Sequence, residues 1–240
     1  AGLSSAVYLI REAGFVGHNI TLFDQDKLNG GAMDGSGSAE KGYLIRGGRM
    51  HEEHYACTWD LLSAIPTLDD PDVSVTQEIF EFNKQVVSCS RARLLRAARK
   101  TDVSSFGLSK RDAFDLLHLN MTSEEHLGAK QIDEWFAPEF FDTVFWQLWA
   151  TTFAFQRWSS LAEMRRYAIR FIHLLPGFNQ LKGIMRTVYN QYDSVILPIE
   201  SWLRQHGVNF MMSAPVIDVD FDFINGEKRA TALHYLAEGS

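Results

Sequence analysis

The order of the first elements constrains the fold of this chain more than any other feature. Residues 1–14 read AGLSSAVYLIREAG, with apolar residues at helical spacing and Gly14 as the predicted helix end. A β-type run, HNITLFDQD, then ends near Asp24, and a glycine-rich loop covers residues 29–38. This order predicts the second half of a dinucleotide-binding unit, in which a first strand and a GxGxxG turn precede the helix.

Two residues fit the chemistry of such a unit. Its third glycine opens the helix, and an acid about 20 residues further on binds the ribose hydroxyls. Gly2 stands at the position of the third glycine, and Asp24 follows 22 residues later. Glycine near a helix start and aspartate after a strand also occur together by chance, so an ordinary helix and strand stay an alternative.

The rest of the chain predicts further helices and then a return to strands. Helical patterns cover residues 52–65, 74–88, 109–119, 159–175 and 192–207. The last pattern tolerates Pro198 only with a kink or a late start. Near the end, VNFMMS and APVIDVDFDFI are predicted strands, and the second is followed by an NGE turn.

These elements indicate the α/β class with a split architecture. We expect residues 1–48 and 186–240 to form a Rossmann-like nucleotide-binding domain whose first strand is absent from the sequence. A mostly helical insert, residues 49–185, is expected between the two parts.

Composition excludes several classes of protein. With 240 residues and 46% hydrophobic side chains, the chain can bury one large or two modest cores. Its net charge of −7 provides no reason to expect nucleic-acid binding. Cys57 and Cys89 have no metal or disulfide spacing, so we expect reduced thiols in the cytoplasm. No apolar run reaches the length of a membrane span, so any membrane contact is expected to be peripheral.

Residues 135–158 are the compositional extreme of the predicted insert. They hold ten aromatic side chains in 24 residues. These side chains either wall a long apolar channel or pack as an ordinary core, and the sequence leaves both interpretations open.

Tyr167 lies on the flank of an apolar helix face in LAEMRRYAIRF. This position predicts a hydroxyl that points inward. Arg166 and Arg170 on a neighbouring face would lower the pKa of the phenol or hold an anion. The alternative is a buried tyrosine that bonds one carbonyl beside solvated arginines.

The run HEEH at residues 51–54 raises the question of a metal. His51 and His54 can share one helix face with Glu52 nearby, but no fourth ligand follows at zinc spacing. No metal site is predicted.

Six segments, in this order along nearly the whole chain, resemble the oleate hydratase family, flavoproteins also called myosin-cross-reactive antigens. They are AGLSSAVYLIREAG, GGAMDGS, KGYLIRGGRM, CTWDLLSAIPTL, TTFAFQRWSSLAEMRRYAIRF and YNQYDSVILPIE. The resemblance implies addition of water to the cis-9 double bond of oleate or a similar long-chain unsaturated fatty acid, which gives a 10-hydroxy fatty acid. It also implies bound FAD without net redox change, and a homodimer at full length.

The same resemblance implies roles for particular residues. Tyr167 matches the proton donor, and Gln191 matches a glutamine near the flavin and the substrate. FAD-binding positions and the loop of the active site match Gly2, Asp24, Gly30, Gly31, Arg46, Gly47, Gly48 and Arg49.

Three departures complicate this assignment. Met50 stands where many family members carry the glutamate that activates water. Glu52, two residues on, is the candidate to replace it as the catalytic base, although a helix that begins there would turn its side chain by roughly 200° from position 50. Arg157 and Ser159 replace the usual proline and histidine. The first strand and the first two glycines are absent, and the chain ends short of family length.

Two hypotheses follow. The first is a fatty acid hydratase represented by a fragment or an incomplete gene model, inactive by itself. The second is a non-catalytic relative that binds FAD or a fatty acid, which Met50 favours.

Overall fold

The computed structural model describes residues 1–35, 37–44 and 50–236. Its α-helices in this part of the chain are α1 (Gly2–Arg11), α2 (Ala56–Ser63), α3 (Val75–Gln85), α4 (Lys110–Met121), α5 (Glu124–Leu127), α6 (Val144–Phe153), α7 (Leu161–Phe171) and α8 (Leu197–Gln205). Its strands are β1 (Thr21–Phe23), β2 (Gly37–Ser38), β3 (Gly42–Tyr43), β4 (Leu94–Arg96), β5 (Arg99–Thr101), β6 (Asn209–Met211), β7 (Val216–Ile224) and β8 (Glu227–Tyr235).

The predicted start of the chain is confirmed as a helix followed by a short strand. Helix α1 ends at Arg11, before the predicted Gly14, because the N–H of Glu12 already closes the last turn on the carbonyl of Tyr8. Gly14 follows with a positive φ of 67°, which suits the reversal into the next segment.

Strand β1 pairs in parallel with β6, in the register Thr21 with Asn209 and Phe23 with Met211. Parallel pairing requires a long crossover, and here the crossover contains most of the chain. The predicted return to strands is therefore confirmed for β6. The mixed helices and small sheets place the described chain in the α/β class.

The chain divides into two compact units, Ala1–Val87 with Met185–Ser240 and Ser88–Ile184. Residues 49–87, which the sequence analysis assigned to the insert, pack in the first unit. The reason is that Trp59, Leu62, Ile65 and Ile79 of this segment bury their side chains in the same core as α1 and α8. Helical periodicity shows that a face is buried but not which core receives it.

Helix α8 begins late, as Pro198 requires. Residues Tyr192–Ile196 are π-helical, and the N–H of Leu197 bonds to the carbonyl of Tyr192. Pro198 then lies in the first turn of α8, where no backbone N–H is needed.

The second unit has an aromatic core. Of the aromatic run at residues 135–158, seven side chains are buried: Phe136, Phe140, Phe141, Phe145, Trp146, Trp149 and Phe155. They stack on one another, with Phe136 and Phe140 at 4.0 Å between ring centroids. Trp158 is 67% exposed. Core packing therefore accounts for most of the run.

Strands β7 and β8 form an antiparallel hairpin, with register shifts between Val216 and Asp218 and between Asp220 and Phe221. The hairpin is a sheet separate from β1 and β6. Within the described ranges, no helix has the length and hydropathy to cross a membrane.

Candidate active site

Gly2 and Asp24 lie where the sequence pattern predicted them. Gly2 is the first residue of α1, and a Cβ atom there would stand 3.4 Å from Leu22 Cδ2 in β1. Asp24 follows β1 directly, with its N–H bonded to Met211 of β6. Its Oδ1 accepts a hydrogen bond of 2.9 Å from the N–H of Asp26. The carboxylate thus lies at the carboxyl end of a parallel strand, where α/β folds bind ligands.

The glycine-rich loop packs closely on the π-helical segment. Gly30 has a φ of +109°, and a Cβ there would approach Ile196 Cγ1 within 3.1 Å. Gly31 also has a positive φ, 55°, but faces open space. Gly30 therefore sits at a place where a side chain does not fit, whereas Gly31 is constrained by its backbone alone.

Asn29 ties this loop to helix α8. The side chain is 5% exposed, and its Nδ2 donates a hydrogen bond of 2.9 Å to Glu200 Oε2. Glu200 Oε1 in turn accepts a hydrogen bond of 2.8 Å from Arg204. Gln191, half-buried, directly precedes the π-helical segment against which the loop packs. The glycine loop and Gln191 are therefore held by neighbouring parts of one unit.

Residues 50–54 do not form the start of a helix, because α2 begins only at Ala56. His51 pairs with Met185 in an isolated antiparallel bridge. Glu52 is 2% exposed, and its Oε2 accepts a hydrogen bond of 3.0 Å from the N–H of His54 and lies 2.8 Å from His54 Nδ1. The rotation predicted between Met50 and Glu52 on a helix therefore does not apply. Arg46, Gly47, Gly48 and Arg49 lie outside the described residues.

His51 is a residue that the sequence analysis considered only as a metal ligand. Its Nε2 is buried and has no hydrogen-bond partner within residues 1–35, 37–44 and 50–236. Its ring lies 5.5 Å from that of Trp59, and burial lowers the pKa of His51 below its usual range. Burial disfavours the charged imidazolium, and a ring nitrogen with no partner in the described part of the chain can face a reacting group. Only its tertiary environment identifies this property.

Tyr167 lies in the second unit, half-buried against aromatic rings. Its ring makes edge contacts with Phe153 at 5.2 Å and Phe155 at 5.1 Å, and lies 5.8 Å from Phe171. Among the described residues, no group is hydrogen-bonded to its hydroxyl. The phenol thus has an apolar setting, and the alternative of a bond to one carbonyl is not observed within the described ranges.

The predicted role of Arg166 is not supported. Its Nε and Nη2 donate to the two carboxylate oxygens of Glu124 at 2.8 and 2.5 Å. This pairing holds the pKa of the Glu124 carboxyl below its usual range. Arg166 is therefore committed to a surface carboxylate instead of the phenol of Tyr167.

The model of the MCRA family matches residues 1–240. The chain is 39% identical over 241 residues to the oleate hydratase of Streptococcus pyogenes serotype M49 (strain NZ131), a match that covers all of this chain and 41% of that protein. It is 33% identical over 246 residues to the linoleate hydratase of Lactiplantibacillus plantarum, over 92% of this chain and 43% of that protein.

The chain belongs to the MCRA family. This confirms the resemblance that six sequence segments indicated. The chain spans about two fifths of the length of these two curated relatives.

The predicted site residues of this MCRA-family chain are divided between its two units. The first unit contains Gly2, Asp24, Gly30, Gly31, Met50, Glu52 and Gln191, and the second contains Tyr167. In the first unit the residues fall into three groups: the end of β1, the glycine loop beside the π-helical segment, and the loop at His51.

Proposed function

We propose that the protein is a fatty acid hydratase, which adds water across the cis double bond of a long-chain unsaturated fatty acid such as oleate. The observation that carries this proposal is the 39% identity, over the whole chain, to a protein named oleate hydratase. The apolar setting of Tyr167 and the free nitrogen of His51 add two groups of the kind that hydration needs.

FAD is proposed as the cofactor, because residues of the first unit fit it. Gly2 lets the start of α1 approach β1, and Asp24 offers a carboxylate at the end of that strand to the ribose hydroxyls. Gly30 and Gly31 are proposed to let the backbone approach the cofactor. When bound, FAD would supply a flavin ring at the active site without net redox change.

Tyr167 is proposed as the proton donor. The π electrons of the alkene form a C–H bond with the proton of the phenol, and positive charge develops on the second alkene carbon. The oxygen of water bonds to that carbon, and the excess proton of the water passes to a base. The base then releases its proton to solvent and the phenolate regains one from solvent, so that one water molecule is added in total.

Water activation is the step on which this chain departs from its family. Met50 has no basic atom for this purpose, and Glu52 already accepts the N–H of His54 and lies beside its ring nitrogen. His51 lies between the two in sequence, its Nε2 has no partner among the described residues, and burial lowers its pKa. We therefore propose His51 as the base. Glu52 is proposed to stabilise the conformation of the loop through its contacts with His54.

The experiment uses the product of the full reading frame that encodes these residues, called the full-length protein below. The purified protein is incubated with oleate or linoleate in H₂¹⁸O, and the lipids are measured by mass spectrometry. We expect a hydroxy fatty acid that carries one ¹⁸O. Purified protein that holds flavin and fatty acid but forms no labelled product would favour the non-catalytic relative instead.

A further inference from the structure

Residues 90–101, SRARLLRAARKT, form a basic segment in an acidic protein. They contain five of the 23 lysine and arginine residues of the chain and no acidic residue: Arg91, Arg93, Arg96, Arg99 and Lys100. The net charge of −7 averages over the chain and conceals this segment. The prediction drawn from net charge therefore overlooked it.

The segment is extended and anchored at its base. The N–H groups of Ser90 and Ala92 bond to the carbonyls of Gln180 and Asn179, at 2.8 and 3.1 Å. Strands β4 and β5 then form a hairpin with Leu95 opposite Lys100. Because successive side chains of an extended segment point to opposite faces, one face of this segment lies against the second unit and the other is exposed to solvent.

The outward face is cationic with one apolar residue among the charges. Arg91, Arg93, Leu95 and Lys100 are exposed, Leu95 at 65%, whereas the alternate residues Ala92 and Leu94 are half-buried. We call these four residues the basic face. Among the described residues, none of its three cations forms an ion pair with a carboxylate.

The tip of the hairpin carries features that its own stability does not explain. Arg96 lies directly opposite Arg99, a pairing of like charges that weakens a hairpin. Ala97 and Ala98 between them have φ angles of 49° and 60°, a conformation that residues with a Cβ disfavour. Arg96 donates a hydrogen bond of 2.6 Å to the carbonyl of Asp142.

We propose that the basic face docks on an anionic lipid surface. Unpaired cations are attracted to anionic headgroups, and an exposed leucine among them can insert between the lipids. Nucleic acid is the less suitable partner, because the segment contains no aromatic side chain on which a base would stack. The proposal goes beyond hydration and does not require it, since vesicle binding is measured without catalysis.

The test measures partitioning of the full-length protein to vesicles by co-sedimentation. The vesicles are phosphatidylcholine alone, or phosphatidylcholine mixed with phosphatidylglycerol. The first variant replaces four cations of residues 90–101: Arg91→Gln, Arg93→Gln, Arg99→Gln and Lys100→Gln. A control variant replaces four exposed cations outside this basic segment: Lys84→Gln, Arg111→Gln, Lys228→Gln and Arg229→Gln.

We expect binding only to the anionic vesicles, weakened by about 0.5 M salt. Each hairpin cation should contribute roughly 5-fold, so that the first variant loses about 100-fold or more, while the control loses at most about 5-fold. Leu95→Ser should weaken vesicle binding several-fold with no effect on binding to heparin. If the first variant does not fold, Lys100→Gln alone should show its roughly 5-fold loss.

Three results would overturn the proposal. They are equal binding by the parent and the folded hairpin variants, an equal loss in the control, and tighter binding to a single-stranded oligonucleotide than to anionic vesicles. None of them bears on the hydration assay, so the two proposals fail independently.

Discussion

His51 and Met185 exchange both backbone hydrogen bonds, with 3.1 Å from His51 N to Met185 O and 2.7 Å from Met185 N to His51 O. This bridge fixes the loop next to Met50 to the point where the chain returns to the first unit. Because His51 is held in this bridge and α2 begins only at Ala56, Met50 and Glu52 do not lie on a helical turn. Substitutions at Met50, His51 and Glu52, around this bridge, therefore test which group activates water.

Met50→Glu tests whether this chain has a base at all. If water is only positioned, the added carboxylate should raise the hydration rate of the full-length protein by about 10-fold or more, whereas if His51 already takes up the proton the gain should be small. The rate is measured from the hydroxy fatty acid formed at several pH values. A new acidic limb in the pH profile should report the added carboxylate.

His51→Gln should lower the parent rate by about 10²-fold if His51 takes the proton from water, because glutamine keeps hydrogen bonding but not basicity. Since burial lowers the pKa of His51, the parent should keep its activity below the pH at which an ordinary histidine is protonated. Glu52→Gln is the matched comparison. A large loss there, with none in His51→Gln, would assign the base to Glu52 instead.

Tyr167→Phe removes one hydroxyl that has no hydrogen-bond partner among the described residues, so packing should survive. We expect hydration to fall by about 10² or more, with flavin absorbance and melting temperature unchanged. Phe155→Leu, which alters the rings around Tyr167 without touching its hydroxyl, is the control. Activity of Tyr167→Phe within about threefold of the parent would rule out this role.

Gly30→Ala should destabilise the first unit by about 1–3 kcal/mol, because alanine disfavours a φ of +109° and its Cβ would lie 3.1 Å from Ile196. Gly31→Ala, with a φ of 55° and open space, should cost less, about 1–2 kcal/mol. Thermal unfolding and flavin retention of the two variants check the order. Equal effects would contradict the close packing of the glycine loop on the π-helical segment.

His234 makes the stability of the β7–β8 hairpin depend on pH. Its Nε2 lies 2.8 Å from Asp220, and this partner raises the pKa of His234. Stabilisation by the pair should be complete below the ordinary pKa of histidine and disappear as the pH rises through the raised value. Hydrogen exchange of the hairpin amides at several pH values measures it, and His234→Gln should remove the dependence.

Local signals in the sequence were enough for several elements. Ser74 accepts a hydrogen bond from Gln77 N at the start of α3, and Ser109 and Asp112 form a capping box at α4. Caps act within one turn, so they can be recognised without the rest of the fold. For the same reason Pro198 predicted either a kink or a late start, and α8 begins at Leu197 after the π-helical segment; the alternation before Asp24 predicted β1.

The tertiary structure decided what depends on distant partners. The sequence could not assign residues 49–87 to the first unit, because an amphipathic helix does not specify the core that receives it. Nor could it show that Arg166 pairs with Glu124, that Glu52 is 2% exposed, or that His51 Nε2 has no partner. The sequence by itself determined the family and the identity of the candidate residues. Their burial, their partners and the exposed basic face arise from contacts between segments far apart in sequence, and local patterns do not encode those contacts.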